Sequence, residues 1–105
     1  MKIINPKEDI SFNEEHAIAE PVFINKNNRI LRFSLLPGQS IKEHKSPSSP
    51  VFINIIKGRG IFWGEDGVKK EVDSESVIIF TQNESHGITA LDEELVFLAL
   101  LHGAP

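Results

Sequence analysis

Residues 38–58 read GQSIKEHKSPSSPVFINIIKG, and the order of signals in this stretch decides the fold. After the Pro37-Gly38 turn, residues 40–44 alternate up to His44, and Ser46-Pro47-Ser48-Ser49-Pro50 breaks the alternation. An apolar run at 51–56 follows and stops at Gly58. That is strand, proline-stiffened loop, buried strand and glycine turn in sequence, with no helical period anywhere in it. The histidine at its centre is open to three readings. It is a metal ligand, a proton carrier, or a polar group that the packing tolerates.

Working outward, the same pattern repeats. Residues 22–24 and 30–36 flank Asn25-Lys26-Asn27-Asn28-Arg29, where asparagine tolerates the left-handed backbone of a tight hairpin. Leu31-Arg32-Phe33-Ser34-Leu35 alternates apolar with polar, as a strand with one buried face does. Further strands are predicted at 60–64, 68–72, 77–80, 86–90 and 95–101, separated by turns such as Glu65-Asp66-Gly67 and Leu91-Asp92-Glu93-Glu94. Only residues 12–18 offer a turn or two of helix, and they form no sustained apolar stripe. About nine short strands with almost no helix call for an all-β fold, a small antiparallel jelly-roll barrel (double-stranded β-helix), because an open sheet would leave adhesive edges.

At 105 residues the chain is the size of one domain: a barrel core over about 22–102 behind an irregular N-terminal segment, 1–21. The net charge of -4, with both signs interspersed, argues against the basic patch that nucleic acid or an anionic membrane would require. With no cysteine there is no disulfide, thiolate nucleophile or zinc-thiolate knot. No secretory leader pattern opens the chain and no apolar run is long enough to span a bilayer, so a cytoplasmic location is expected. Residues 51–56 and 95–101 are apolar on both strand faces. One face fills the barrel; the other needs cover from the N-terminal segment or a second subunit, and a homodimer is expected.

The motif spacing now points to a family. Gly38, His44, Ser46, Val51 and Gly58 resemble, in spacing, the first cupin motif, which usually carries Gly, His, His, Glu and Gly. The second motif, Gly-(five)-Pro-x-Gly-(two)-His-(three)-Asn, falls on Glu75, Thr81, Asn83, His86 and Ala90, with sixteen residues between the motifs. The chain is similar to small single-domain cupins of the conserved-barrel, cupin_2 type. That resemblance implies isomerases, dioxygenases, decarboxylases and sugar epimerases among the possible activities. It also implies a metal cage of three histidines and a glutamate, for which this chain supplies His44, Ser46, Val51 and His86. Valine cannot ligate and a serine hydroxyl is a poor ligand, so of the four motif positions His44 and His86 are the metal candidates, and a carboxylate outside the motif, such as Glu43 or Glu84, would have to complete the site. They would hold a divalent zinc, iron, manganese or nickel ion at low occupancy.

The alternatives are two histidines kept neutral in a cavity by hydrogen bonds, or paired donors and acceptors that orient a small organic ligand. The expected binding site is His44, Ser46 and His86 above an apolar floor that includes Val51 and Ile53. Glu43 and Lys45, one step either side of His44, are expected on the opposite strand face, and Asn54 at a subunit contact. Trp63 and the phenylalanines are expected in the core or an interface, and His16 and His102 in solvent.

Overall fold

The computed structural model describes residues 1–103; Ala104 and Pro105, the end of the expected domain, lie outside the described residues. Nine strands follow in order: β1 Ile18–Ile24, β2 Asn28–Leu35, β3 Ser40–His44, β4 Val51–Lys57, β5 Arg59–Trp63, β6 Lys70–Asp73, β7 Val77–Phe80, β8 His86–Ala90 and β9 Leu95–His102. They form two antiparallel sheets, β1-β2-β9-β4-β7 and β3-β8-β5-β6. There is no helix among the described residues. The all-β jelly roll expected from the strand punctuation is the observed fold.

Period-2 alternation places the core. Leu35, Val51, Ile53, Ile55, Phe97 and Ala99 from the first sheet meet Phe62, Ile88 and Ala90 from the second, and all are buried. Burying each large aliphatic side chain of this set contributes about 1.5–3 kcal/mol of transfer free energy. Phe97 anchors the interior by stacking on Phe33 at 5.0 Å between centroids and meeting Phe62 edge-on at 5.9 Å.

Three local expectations are corrected. The hairpin between β1 and β2 contains no left-handed residue. Its backbone is held by the Asn25 side chain, whose Oδ1 accepts from the amides of Asn27 at 2.9 Å and Asn28 at 2.7 Å. Asparagine acts there as a hydrogen-bond acceptor, an Asx turn. Residues 12–18 make no helical turn, since Asn13 Oδ1 captures the Glu15 amide and β1 already begins at Ile18, inside the segment expected to be irregular. The strand expected at 68–72 starts at Lys70, because Asp66 Oδ1 accepts the Val68 amide and prolongs the turn.

The outer face of the larger sheet is covered in part. Arg32, on that face and 6% exposed, donates to the carbonyls of Pro6, Glu8 and Asp9 and to Glu20 Oε1. The N-terminal segment is thereby tied across β2. Farther along the same face Val77, Ile79 and Leu100 remain exposed in the single chain, beside exposed Asn54.

The two glycines retained from the first motif both have φ +81. Gly58 also lacks room for a side chain, since a Cβ would fall on the carbonyl oxygen of Glu94. Two second-motif glycine positions keep the left-handed backbone without the glycine: Glu75 has φ 75 and Asn83 φ 64. Backbone shape is retained where residue identity is not.

Candidate functional site

The site begins with an irregularity in β3. Ile41 pairs with Ile88 and His44 pairs with His86, so three steps along β3 match two along β8. One extra residue is a β-bulge, and it shifts the phase of every side chain after it. Strict alternation from the inward Ile41 would bring Glu43 inside. The bulge instead turns His44 toward the interior and leaves Glu43 outside, where its Oε1 accepts from Ser85 Oγ at 2.9 Å.

His44 and His86 consequently meet, ring centroids 4.4 Å apart and planes tilted by 57°. Each imidazole is oriented by the backbone two residues before it. His44 Nδ1 lies 2.8 Å from the Lys42 carbonyl and His86 Nδ1 lies 2.8 Å from the Glu84 carbonyl. A carbonyl only accepts, so both Nδ1 atoms carry the proton and both Nε2 atoms keep a lone pair in the neutral rings. His86 is 3% exposed and stacks on Phe80, centroids 4.4 Å apart. Burial lowers its pKa from the ordinary histidine value, and the neighbouring His44 adds to that, against the opposing Glu84 carbonyl bond.

Both rings line one cavity of about 220 Å³ between the sheets. Ser46, Val51 and Ile53 line it too, so the structure brings all five expected site residues together. Val51 and Ile53 are buried, and Ile88, Phe97 and Ala99 complete the apolar interior. The rim loop is tied down by the Asn83 amide on the Ser46 carbonyl, and by buried Ser49, whose Oγ accepts the His102 amide at 2.8 Å. His16 and His102 are exposed, as expected, and Trp63 packs at a site where Gly87 leaves space for its ring.

Two charged lining residues were missed. Lys45 was expected on the opposite face, but β3 ends at His44, strand alternation no longer applies, and Lys45 joins Ser46 in the lining. Arg29 from β2 lies at the same mouth, its Nε donating to the Gly103 carbonyl. The only sequence signal for Arg29 was its phase with inward Leu31 and Phe33.

The donor set does not fit the metal cage implied by the cupin resemblance. Among the described residues no group of three or more His, Cys, Asp or Glu side chains could hold a metal ion. Val51 sits at the glutamate position as a buried hydrocarbon. Neither nearby carboxylate completes the site: Glu43 is held by Ser85, and Glu84 accepts the amides of Thr81 and Glu65. Those amide bonds hold the Glu84 carboxyl below its ordinary pKa. Two imidazoles alone fall short of the three protein ligands that divalent ions of this kind normally keep.

Comparison with known proteins agrees with this architecture. The chain superposes on the protein TT1209 from Thermus thermophilus with a TM-score of 0.91, at 20% identity and with 100% of both chains covered. A conserved protein with a double-stranded β-helix domain from Klebsiella pneumoniae matches at 0.90, with 17% identity over 98% of this chain and 90% of that one. An RmlC-like cupin protein from Desulfovibrio desulfuricans matches at 0.85, with 22% identity and 96% of each chain covered. At these identities the likeness establishes the fold. No curated protein gives a significant match. The sequence profile of the cupin domain, Cupin_2, matches residues 31–101, well over half of the chain, and the chain therefore belongs to the Cupin_2 family.

Proposed function

We propose that this cupin is a binding module for a small organic molecule, held between His44, Ser46 and His86 above the apolar floor of Val51 and Ile53. The observation that carries the reading is the pair of backbone-oriented imidazoles, 4.4 Å apart, at one cavity without the ligands of a metal cage. Two fixed polar groups on an otherwise apolar wall are what a small site needs to orient a ligand. The volume of about 220 Å³ is below that of sites for drug-sized molecules and fits a small metabolite. On this reading the domain senses or stores its ligand, or serves as an accessory to another protein. A divalent ion would occupy His44 and His86 only fractionally.

The exposed apolar positions Val77, Ile79 and Leu100 support a homodimer through the uncovered part of the larger sheet. Sedimentation of the wild type and of an Ile79→Lys variant tests it; a monomeric wild type refutes it.

The ligand reading is tested by imidazole nitrogen NMR of tag-free protein, titrated with short-chain carboxylates, amides, alcohols and sugars at millimolar concentration. At least one probe is expected to shift the His44 and His86 resonances together, and to lose its binding in the His44→Ala, His86→Ala double variant. If no probe shifts either ring, the reading fails. Turnover of a bound probe, lost in the same double variant, would replace the binding module with an enzyme.

A further inference from the structure

We infer that the cavity selects a small monocarboxylate carrying a compact apolar group, because Arg29 and Lys45 stand at the mouth of an apolar pocket whose lining, among the described residues, contains no carboxylate. The inference rests on reading the His44 and His86 cavity as a ligand site and names the class of ligand.

The charge at the mouth runs against the chain as a whole. The protein carries 15 acidic residues against 11 lysines and arginines, yet this lining holds two cations, two imidazoles and no Asp or Glu. Among the described residues neither Arg29 nor Lys45 has an ion-pair partner, whereas Arg32, Lys57 and Arg59 all do. Glu43, two residues before Lys45, and Glu84, two residues before His86, are engaged elsewhere by Ser85, Thr81 and Glu65. Arg29 is also partly preorganised: its Nε is bound to the Gly103 carbonyl, which orients the guanidinium, and its terminal nitrogens have no partner among the described residues.

The interior sets the rest of the molecule. Ile53, Ile88 and Phe97 are no more than 2% exposed and form an apolar end with no charge to receive a second ionised group. Inorganic phosphate would bring no hydrocarbon to fill that end, and a dicarboxylate would bury an unpaired charge there. A cavity of about 220 Å³ has the liquid volume of about seven waters, which sets the scale of a short branched acid. In that pose the carboxylate lies toward Arg29 and Lys45 and the hydrocarbon toward Phe97. The imidazole Nε2 lone pairs are then free to accept from a hydroxyl on the ligand's middle carbons.

The test uses two probes of one shape, 3-methylbutanoate and 3-methylbutanamide, with inorganic phosphate as the third, titrated into the full chain at low salt. Binding is read by calorimetry and by the His44 and His86 imidazole resonances. The carboxylate is expected to bind about tenfold more tightly than the amide. Lys45→Glu, at an exposed position, should abolish that preference by weakening the acid far more than the neutral amide; Arg29→Gln should act in the same direction. Equal binding of acid and amide would overturn the charge selection while leaving the ligand site standing. Phosphate binding as tightly as the acid would overturn the assignment to carboxylates. Failure of both organic probes to bind or move either ring would overturn this inference, and failure of the wider probe panel as well would remove the ligand reading beneath it.

Discussion

His44 and His86 occupy directly paired positions on β3 and β8, yet only one of them is sheltered: His86 is 3% exposed, while His44 lies open at the cavity mouth. The two rings touch but inhabit different dielectric surroundings. Burial stabilises the neutral form of His86, whereas an unfolded chain protonates the same ring near its ordinary value.

The first prediction concerns stability against pH. The folded pKa of His86 is lowered, so between that value and about 6.5 the unfolded chain binds more protons. The His86 contribution is complete above about 6.5 and is lost as the pH falls toward the folded value. The depressed Glu84 carboxyl acts in a lower window, losing its contribution as the pH falls below the ordinary carboxylate value of 4.5. Urea midpoints of the wild type should fall more steeply between neutral and mildly acidic pH than those of His86→Gln. Parallel slopes would show that the ring titrates alike in both states.

The second concerns metal. With two imidazoles and no third ligand among the described residues, tag-free protein should carry well under one equivalent of zinc, iron, manganese or nickel by elemental analysis. Chelation should leave the unfolding temperature unchanged, because a weak ligand near its dissociation constant adds only about RT ln 2, roughly 0.4 kcal/mol. One tightly held equivalent, lost in the double histidine variant, would refute this.

Arg32 carries the third. Its buried guanidinium joins β2 to Pro6, Glu8, Asp9 and Glu20, so Arg32→Ala strands three carbonyls and a carboxylate at once. We expect a loss of about 3 kcal/mol, with early proteolysis near residues 6–9 while the barrel stays folded. Arg32→Lys should recover only part of it, since an ammonium cannot span the same fork of acceptors. An N-terminal segment equally protected in Arg32→Ala would show that other contacts hold it.

Backbone geometry gives the fourth. Gly58→Ala meets both a left-handed φ and the Glu94 carbonyl and should cost about 3 kcal/mol or more. Gly38→Ala, with the same φ and open space around it, should cost about 1 kcal/mol. Glu75→Gly should do the reverse and stabilise by roughly 0.5–1 kcal/mol, because Glu75 already sits at φ 75. Denaturant unfolding of the three variants checks the order, and a Gly58→Ala protein as stable as Gly38→Ala contradicts it.

Most of the architecture was legible before any coordinates. Alternation and glycine, proline and asparagine punctuation are local properties of the chain, and they located nine strands and the loop at 46–50; the shared cavity of His44 and His86 was an expectation of the cupin motif spacing and not of alternation. The hairpin at 25–29 was located correctly but for the wrong reason, since both an Asx turn and a left-handed turn favour asparagine and only the dihedral angles tell them apart.

What the sequence determined by itself was the strand inventory, the buried face of most strands and the loss of half the cupin ligand set. What the tertiary structure decided was the phase at the site. The bulge before His44 is defined by hydrogen bonding to β8, more than 40 residues away, so it leaves no periodic trace in β3 itself. Arg29 and Lys45 entered the cavity for a related reason: one comes from the opposite sheet, and the other lies just past a strand end. Local periodicity says which side of its own strand a residue occupies, and only the closure of two sheets on one another says which of those sides come to share a cavity.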